Sequence, residues 1–245
     1  MSILPGKYQQ KLSTYLKAKL QDEEPKESFK FVTSLIENIY DQRSISLIDV
    51  ACATGGFIYY ARKILNICEC VGVDVSPELL EQARREMPDV EFVIDSIVDT
   101  NVISGRQFDV CTFLTTMSIF DEIEDILGNL LLLVKPGGYL FVFDTVSEDP
   151  VDVIMRWRYS TQHEDRCSGW QSAYNVRSVA TYERLLRKID VHLELHWFNF
   201  EMPFPIPRTS DLVRGWTIRT EHKDNQIVTG TGQFLNFKVL RIYKP

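Results

Sequence analysis

The sequence predicts an α/β protein built on a doubly wound parallel sheet, and two observations carry that prediction. Between residues 45 and 144, apolar runs of strand length alternate with amphipathic stretches of helix length. That is the pattern of parallel strands joined by helical crossovers. The first run, Leu47-Ile48-Asp49-Val50, passes directly into a loop of small side chains, Ala51-Cys52-Ala53-Thr54-Gly55-Gly56. Such a turn lets a strand bring its backbone close to a nucleoside-type ligand. The 245 residues suffice for a full core and are read as one domain, 1–245.

The elements follow in order. Tyr8, Leu12, Tyr15, Leu16 and Leu20 share one helical face, and Phe31, Val32, Leu35, Ile36 and Ile39 share another, with Pro25 as the stop between them. Together they make an N-terminal helical segment, 1–42. Residues 45–50 read as a buried strand, and Phe57, Tyr60, Ala61, Ile64 and Leu65 stripe the helix after the loop. A second strand, 71–75, runs into Ser76-Pro77-Glu78, which combines an N-cap hydroxyl, a first-turn proline and an acid at the positive helix end. Strands follow at 90–94 and 108–114. A helix carrying Ile123, Ile126, Leu127, Leu130, Leu131 and Val134 then closes on Lys135-Pro136-Gly137-Gly138 before a fifth strand at 139–144. The core is thus 43–145.

Residues 146–177 are polar and aromatic with weak periodicity, which predicts a cap over the carboxyl ends of the strands. In the C-terminal half, 178–245, a helix (178–188) and a strand (191–200) precede a stiff loop with Pro203, Pro205 and Pro207. A hairpin around Asp224-Asn225 and a terminal strand at 234–243 complete the chain.

Composition narrows the function. The formal net charge of −7 speaks against a nucleic-acid surface. No run reaches the roughly 18 apolar residues of a membrane span, and the first ten residues lack a signal-peptide core. Five cysteines without metal-type spacing suit buried thiols in a reducing cytoplasm. The G-x-G-x-x-G spacing of a nicotinamide dehydrogenase is absent.

Ligands of open parallel sheets lie beyond the carboxyl ends of the strands. Asp49, Asp74 and Asp95 all fall there. Asp74, nineteen residues after Gly55, has the spacing for ribose hydroxyls, and Asp95 suits an adenine amino group. Asp49 beside the loop suits a cation and would disfavour a pyrophosphate. Ala51 and Ala53 stand where such loops carry glycine, and alanine is strained if either position needs a positive φ.

In this order and spacing the chain resembles the class I S-adenosylmethionine-dependent methyltransferases. The motifs are Ile48-Asp49-Val50-Ala51-Cys52-Ala53-Thr54-Gly55, Val71-Gly72-Val73-Asp74-Val75-Ser76, Asp95-Ser96, Phe108-Asp109-Val110 and Leu133-Val134-Lys135-Pro136-Gly137-Gly138. The resemblance covers about residues 45–145. It implies a Rossmann-like, mostly parallel seven-stranded sheet with an antiparallel C-terminal strand, and S-adenosyl-L-methionine as cofactor. It further implies a first loop around the methionine part, Asp74 on the ribose, Asp95-Ser96 at the adenine, and Leu114-Thr115 closing on the amino-acid end. The cofactor-binding residues are thus Asp49, Ala51, Cys52, Ala53, Thr54, Gly55, Asp74, Val75, Asp95, Ser96, Leu114 and Thr115.

The expected activity is methyl transfer to nitrogen or oxygen of a small, anionic metabolite. Arg156, Arg158, Arg166 and Arg177 lie among aromatic residues of the cap, where guanidinium groups suit a carboxylate or phosphate. The alternative is a solvated cap with surface ion pairs. Arg156, Trp157, Tyr159, Trp170 and Tyr8 are the candidate substrate contacts. His163 is the candidate base, and Tyr15 a second catalytic candidate, although Tyr8 and Tyr15 equally suit packing of a lid helix. His192, Glu194 and His196 share one strand face, but a solvated face explains them and no metal is expected. Two other readings stay open: cyclisation of the cofactor's own aminobutyrate part with release of methylthioadenosine, and a non-catalytic binding subunit. The oligomeric state is open, a homodimer included.

Overall fold

A computed structural model describes residues 16, 19–22, 24–98, 105–158, 170–172, 174–209 and 215–245. The first helix, α1 (Glu27–Tyr40), buries Val32, Ile36 and Tyr40, and the Tyr40 hydroxyl donates to the Asp109 carbonyl at 2.9 Å. The alternation then runs β1 (Ile45–Val50), α2 (Gly56–Ile64), β2 (Ile67–Asp74), α3 (Pro77–Glu86), β3 (Glu91–Ile94), β4 (Phe108–Leu114), α4 (Glu124–Leu132) and β5 (Val134–Ser147). Ser76 caps α3 as its sequence requires, its hydroxyl accepting the Leu79 amide at 3.4 Å.

After β5 come three short strands, β6 (Arg156–Trp157), β7 (Gln171–Ser172) and β8 (Arg177–Ser178), and then α5 (Val179–Ile189) and β9 (Glu194–Phe200). The chain ends with β10 (Trp216–Ile218), β11 (Gln226–Val228), β12 (Phe234–Leu235) and β13 (Phe237–Lys244). The expected strand at 234–243 is therefore split at Asn236, whose carbonyl turns aside to accept the Val146 amide at 2.8 Å.

The main sheet has the order β3-β2-β1-β4-β5-β13-β9, and β8 pairs with the end of β5 as an eighth strand beyond the seven expected. Strands β1 to β5 are parallel, and β13 is antiparallel to both β5 and β9. Chain order reverses between β1 and β4, the switch at which such sheets open a crevice.

Because side chains alternate along a strand, the sheet carries two cores. Leu47, Val110, Phe141, Phe143 and Val239 face α1, α2 and α3, while Ile48, Cys111, Phe113, Val142 and Leu240 face α4 and α5. Each of these side chains contributes about 1.5–3 kcal/mol by leaving water. A polar residue at Ile48, which is 0% exposed, would break the second core where it supports the loop. The two later insertions lie at one edge: β10-β11-β12 form their own antiparallel sheet, and β6 pairs with β7. His192 precedes β9 in a turn, so it does not share a strand face with Glu194 and His196.

Candidate active site

The loop after β1 is held in a left-handed zigzag. Ala51 has φ 60°, Ala53 φ 50° and Gly55 φ 79°. Both alanines thus occupy the conformation that costs an L-residue about 1–2 kcal/mol. Three backbone bonds fix it: Cys52 N–H to the Val73 carbonyl (3.0 Å), Ala53 N–H to Asp74 Oδ2 (2.9 Å), and Gly55 N–H to the Cys52 carbonyl (2.8 Å). Glycine suits position 55 twice over, since its φ is positive and an added Cβ would push the end of the Met87 side chain, 2.6 Å away, and crowd the Phe92 ring at 3.2 Å. Gly72, whose role no spacing reveals, leaves room for the Phe92 ring and for Cys52 Sγ, each less than 3 Å from where its Cβ would stand.

The three strand-end acids differ in environment. Asp49 is buried and accepts the Thr112 hydroxyl at 2.6 Å, its cross-strand neighbour. Burial pushes Asp49 up to about 7, against the Thr112 hydrogen bond, and the nearby Asp74 charge adds to the rise. Asp74 is also raised by burial, opposed by the backbone amides that bind it, among them Ser76 N–H on Oδ1 at 3.0 Å. Each carboxylate oxygen has a second lone pair, so Asp74 keeps acceptor capacity after organising the loop. Asp95 is half-buried, with Oδ1 accepting the Ser96 amide at 2.7 Å.

A narrow cleft of about 40 Å³ opens beside Asp74 and Asp95, lined by Val50, Ala51, Val73, Asp74, Val75, Asp95 and Ser96 on the β1–β3 side, while the buried Asp49 is not part of its lining. Ile97, Val98, Phe113, Thr116 and Phe120 line the rest. Thr116, Phe120 and Thr112 were not foreseen. Only Thr112 left a trace, as a hydroxyl inside the apolar run of β4. Cys52 and Thr54 are buried in the loop, and burial raises the Cys52 thiol well above its ordinary range. At the end of β4, Thr115 is left-handed (φ 57°), and its amide donates to the Phe143 carbonyl at 2.6 Å.

Residues 118–121, after β4, are clasped by the cap. Asp121 Oδ1 accepts from Arg156 Nη1 (2.8 Å), Ser172 Oγ (3.2 Å) and Asn175 Nδ2 (3.2 Å), and Arg156 also reaches Oδ2. This Arg156 contact holds the Asp121 carboxyl below the usual carboxylate range. Asn175 Nδ2 and Arg177 Nη2 donate to the Phe120 carbonyl at 2.9 and 3.3 Å, Arg177 also donates to the Asp121 carbonyl, and the Asn175 amide donates to the Ser118 carbonyl. Arg156 is therefore committed to Asp121, and Arg158 lies over the Trp170 ring at 4.7 Å. Trp157 is half-buried in β6 and Trp170 is 59% exposed beside it. Tyr8, Tyr15, Tyr159 and His163 lie outside the described residues. Among the described residues, no group of three or more His, Cys, Asp or Glu could hold a metal ion, and no helix is long and apolar enough to cross a membrane.

Comparison with known proteins agrees with this geometry. A family described as a methyltransferase domain matches residues 48–140, the span from β1 into β5. Residues 48–140 are thus similar to a methyltransferase domain. The chain is 25% identical over 126 residues to malonyl-[acyl-carrier protein] O-methyltransferase of Enterobacter lignolyticus, covering 51% of this chain and 49% of that protein. It is 25% identical over 118 residues to demethylmenaquinone methyltransferase of Chlorobaculum tepidum, covering 48% and 47%. The chain thus spans about half the length of the curated relatives it matches. Among solved structures, the S-adenosylhomocysteine complex of DhpI superimposes with a TM-score of 0.56 at 15% identity, over 97% of this chain and 94% of that one. That likeness carries the fold across nearly the whole length of the chain.

Proposed function

We propose that this protein transfers the methyl group of S-adenosylmethionine to a nitrogen or oxygen of a small molecule. The observation that carries the reading is the pair of carboxylates, Asp74 and Asp95, lining one cleft beside a left-handed loop, with Asp49 buried at the end of β1 just before that loop. The residues fit the cofactor. Asp49 would hold its ammonium, Asp74 the ribose hydroxyls, and Asp95 with Ser96 the adenine, while the left-handed loop of Ala51, Cys52, Ala53, Thr54 and Gly55 would carry the methionine part. Val75 would flank the ribose, with Leu114 and Thr115 closing the amino-acid end.

Bound there, the cofactor supplies an activated sulfonium methyl, so the protein's own contribution is chiefly positioning. Asp49 charges as an ammonium arrives and fixes that end. Asp74 keeps the loop rigid while presenting its remaining lone pairs. Phe120, held by Asn175 and Arg177, keeps the cleft wall in place and excludes water from it. In this reading 1–42 is a lid, 43–145 the cofactor core, 146–177 a cap, and 178–245 the rest of the sheet. Tyr15 and His163 remain candidates for proton transfer, and Tyr8, Trp157, Tyr159 and Trp170 for acceptor contacts.

An anionic acceptor is not carried forward, because Arg156 and Arg177 are engaged by Asp121 and the Phe120 carbonyl. The acidic balance favours neither nucleic acid nor an anionic membrane surface as partner. The test is product analysis after incubation with S-adenosylmethionine and an acceptor panel. S-adenosylhomocysteine together with a methylated acceptor is expected. Methylthioadenosine, or no turnover of the cofactor, would overturn the reading.

A further inference from the structure

A second opening lies at the same carboxyl edge of the sheet, between the end of β9 and the β10–β11 hairpin. It is a groove of about 430 Å³. Phe200 ends β9 and pairs in register with Phe237, which begins β13 and pairs with Thr145 of β5. The groove is therefore continuous with the edge that carries the cofactor cleft. Phe237 stacks on Phe143 with ring centroids 5.3 Å apart, and the Phe143 carbonyl receives the Thr115 amide at the end of β4.

Its polar lining is biased toward hydrogen-bond acceptors. Gln226 is 7% exposed, and its Nε2 donates to the Ile227 and Leu235 carbonyls at 3.1 and 3.0 Å, so Oε1 is left as an acceptor with no partner among the described residues. Asn225 likewise spends Nδ2 on the Met202 carbonyl at 2.9 Å. Glu201 makes no ion pair or hydrogen bond among the described residues, whereas the one lysine of the lining, Lys223, is turned to Asn236 Oδ1 at 2.9 Å. With Nε2 so engaged, Gln226 Oε1 keeps its lone pairs for a donor that enters the groove.

From this we infer that the methyl acceptor is an elongated organic amine. Its flat apolar body lies along Phe200 and Phe237, and its N–H or ammonium group is received by Gln226, Asn225 and Glu201. The inference rests on the methyl-transfer reading and adds a dimension to it. From β4, where the cofactor cleft is, to β13 is two strand steps, roughly 10 Å. The amine is therefore the remote anchor, and the methylated atom lies about that far from it.

The test uses two probes of matched shape and opposite charge, tryptamine and indole-3-acetate, titrated by calorimetry into the full chain saturated with S-adenosylhomocysteine. Saturable binding of tryptamine is expected, with none of indole-3-acetate. Glu201→Lys, an exposed change, should weaken tryptamine by at least about threefold. Gln226→Leu should weaken it further while S-adenosylhomocysteine still binds. Equal binding of both probes, absence of tryptamine binding, or indifference to Glu201→Lys would overturn the inference. Failure of S-adenosylhomocysteine to bind at the outset would instead overturn the methyl-transfer reading.

Discussion

The carboxylate of Asp74 accepts the amide of Ala53 at 2.9 Å, so the residue proposed to hold a ribose also shapes the loop that would meet the methionine part. A second bond, from the Ser76 amide at 3.0 Å, ties the same side chain to the start of α3. Asp74→Ala therefore orphans two backbone donors. It should lower stability by about 2–4 kcal/mol, read by urea unfolding, and weaken S-adenosylhomocysteine at least about tenfold. A variant of native stability that loses only ligand affinity would show that the two bonds do not organise the loop.

The strain at Ala53 is testable by removing a methyl group. Left-handed alanine costs about 1–2 kcal/mol, and glycine's greater unfolded freedom returns about 0.5–1 kcal/mol of that. Ala53→Gly should therefore leave the melting temperature unchanged or raise it by roughly 2–4 °C for a chain of this size. Ala53→Val, β-branched in the same conformation, should lower it. Destabilisation by the glycine beyond about 1 kcal/mol would mean that the methyl group packs usefully.

The pH dependence follows from Asp49. Its folded value of about 7 lies above that of an unfolded aspartate, so the native state holds an extra proton between them. The stability this contributes is complete below about pH 4 and is lost as pH rises through 7. A cofactor ammonium pairs with the ionised form, so S-adenosylhomocysteine affinity should rise about tenfold per unit from pH 5 to near 7, then level off. Asp49→Asn should flatten both curves. A wild-type affinity independent of pH over that range would contradict the assignment.

The clasp predicts a division between acceptor and cofactor effects. Asp121→Ala removes the partner of Arg156 but leaves the backbone carbonyls that Asn175 and Arg177 hold. The ion pair is half exposed, so global stability should change by less than about 1 kcal/mol. Acceptor KM should rise several-fold while cofactor affinity stays within about twofold, and limited proteolysis should cut faster within 146–177. Equal loss of acceptor and cofactor affinity would show that Asp121 supports the cleft itself.

Much of this arrangement was legible before any coordinates, for definable reasons. Strand-end acids, the Ser76 cap and the question posed by Ala51 and Ala53 depend on local chain geometry, which spacing reveals. The clasp was not legible, because it joins Asp121 to Arg156, Ser172 and Asn175 across 35 to 54 residues of weakly periodic chain. The cap arginines read as free guanidinium groups for the same reason: sequence displays their charge but not Asp121 beside them. β8 escaped notice because two residues paired to the end of β5 carry no periodicity. Gln226 was silent because an amide in a turn-rich segment looks like surface until its burial is known.

The central claim is that Asp49, Asp74 and Asp95 form one S-adenosylmethionine site, and calorimetry with S-adenosylhomocysteine at pH 7.5, a chosen pH about half a unit above the Asp49 value, tests it most directly. The account predicts saturable one-to-one binding that Asp49→Asn and Asp74→Ala each weaken at least about tenfold. Absence of binding, or binding that neither substitution alters, would contradict it.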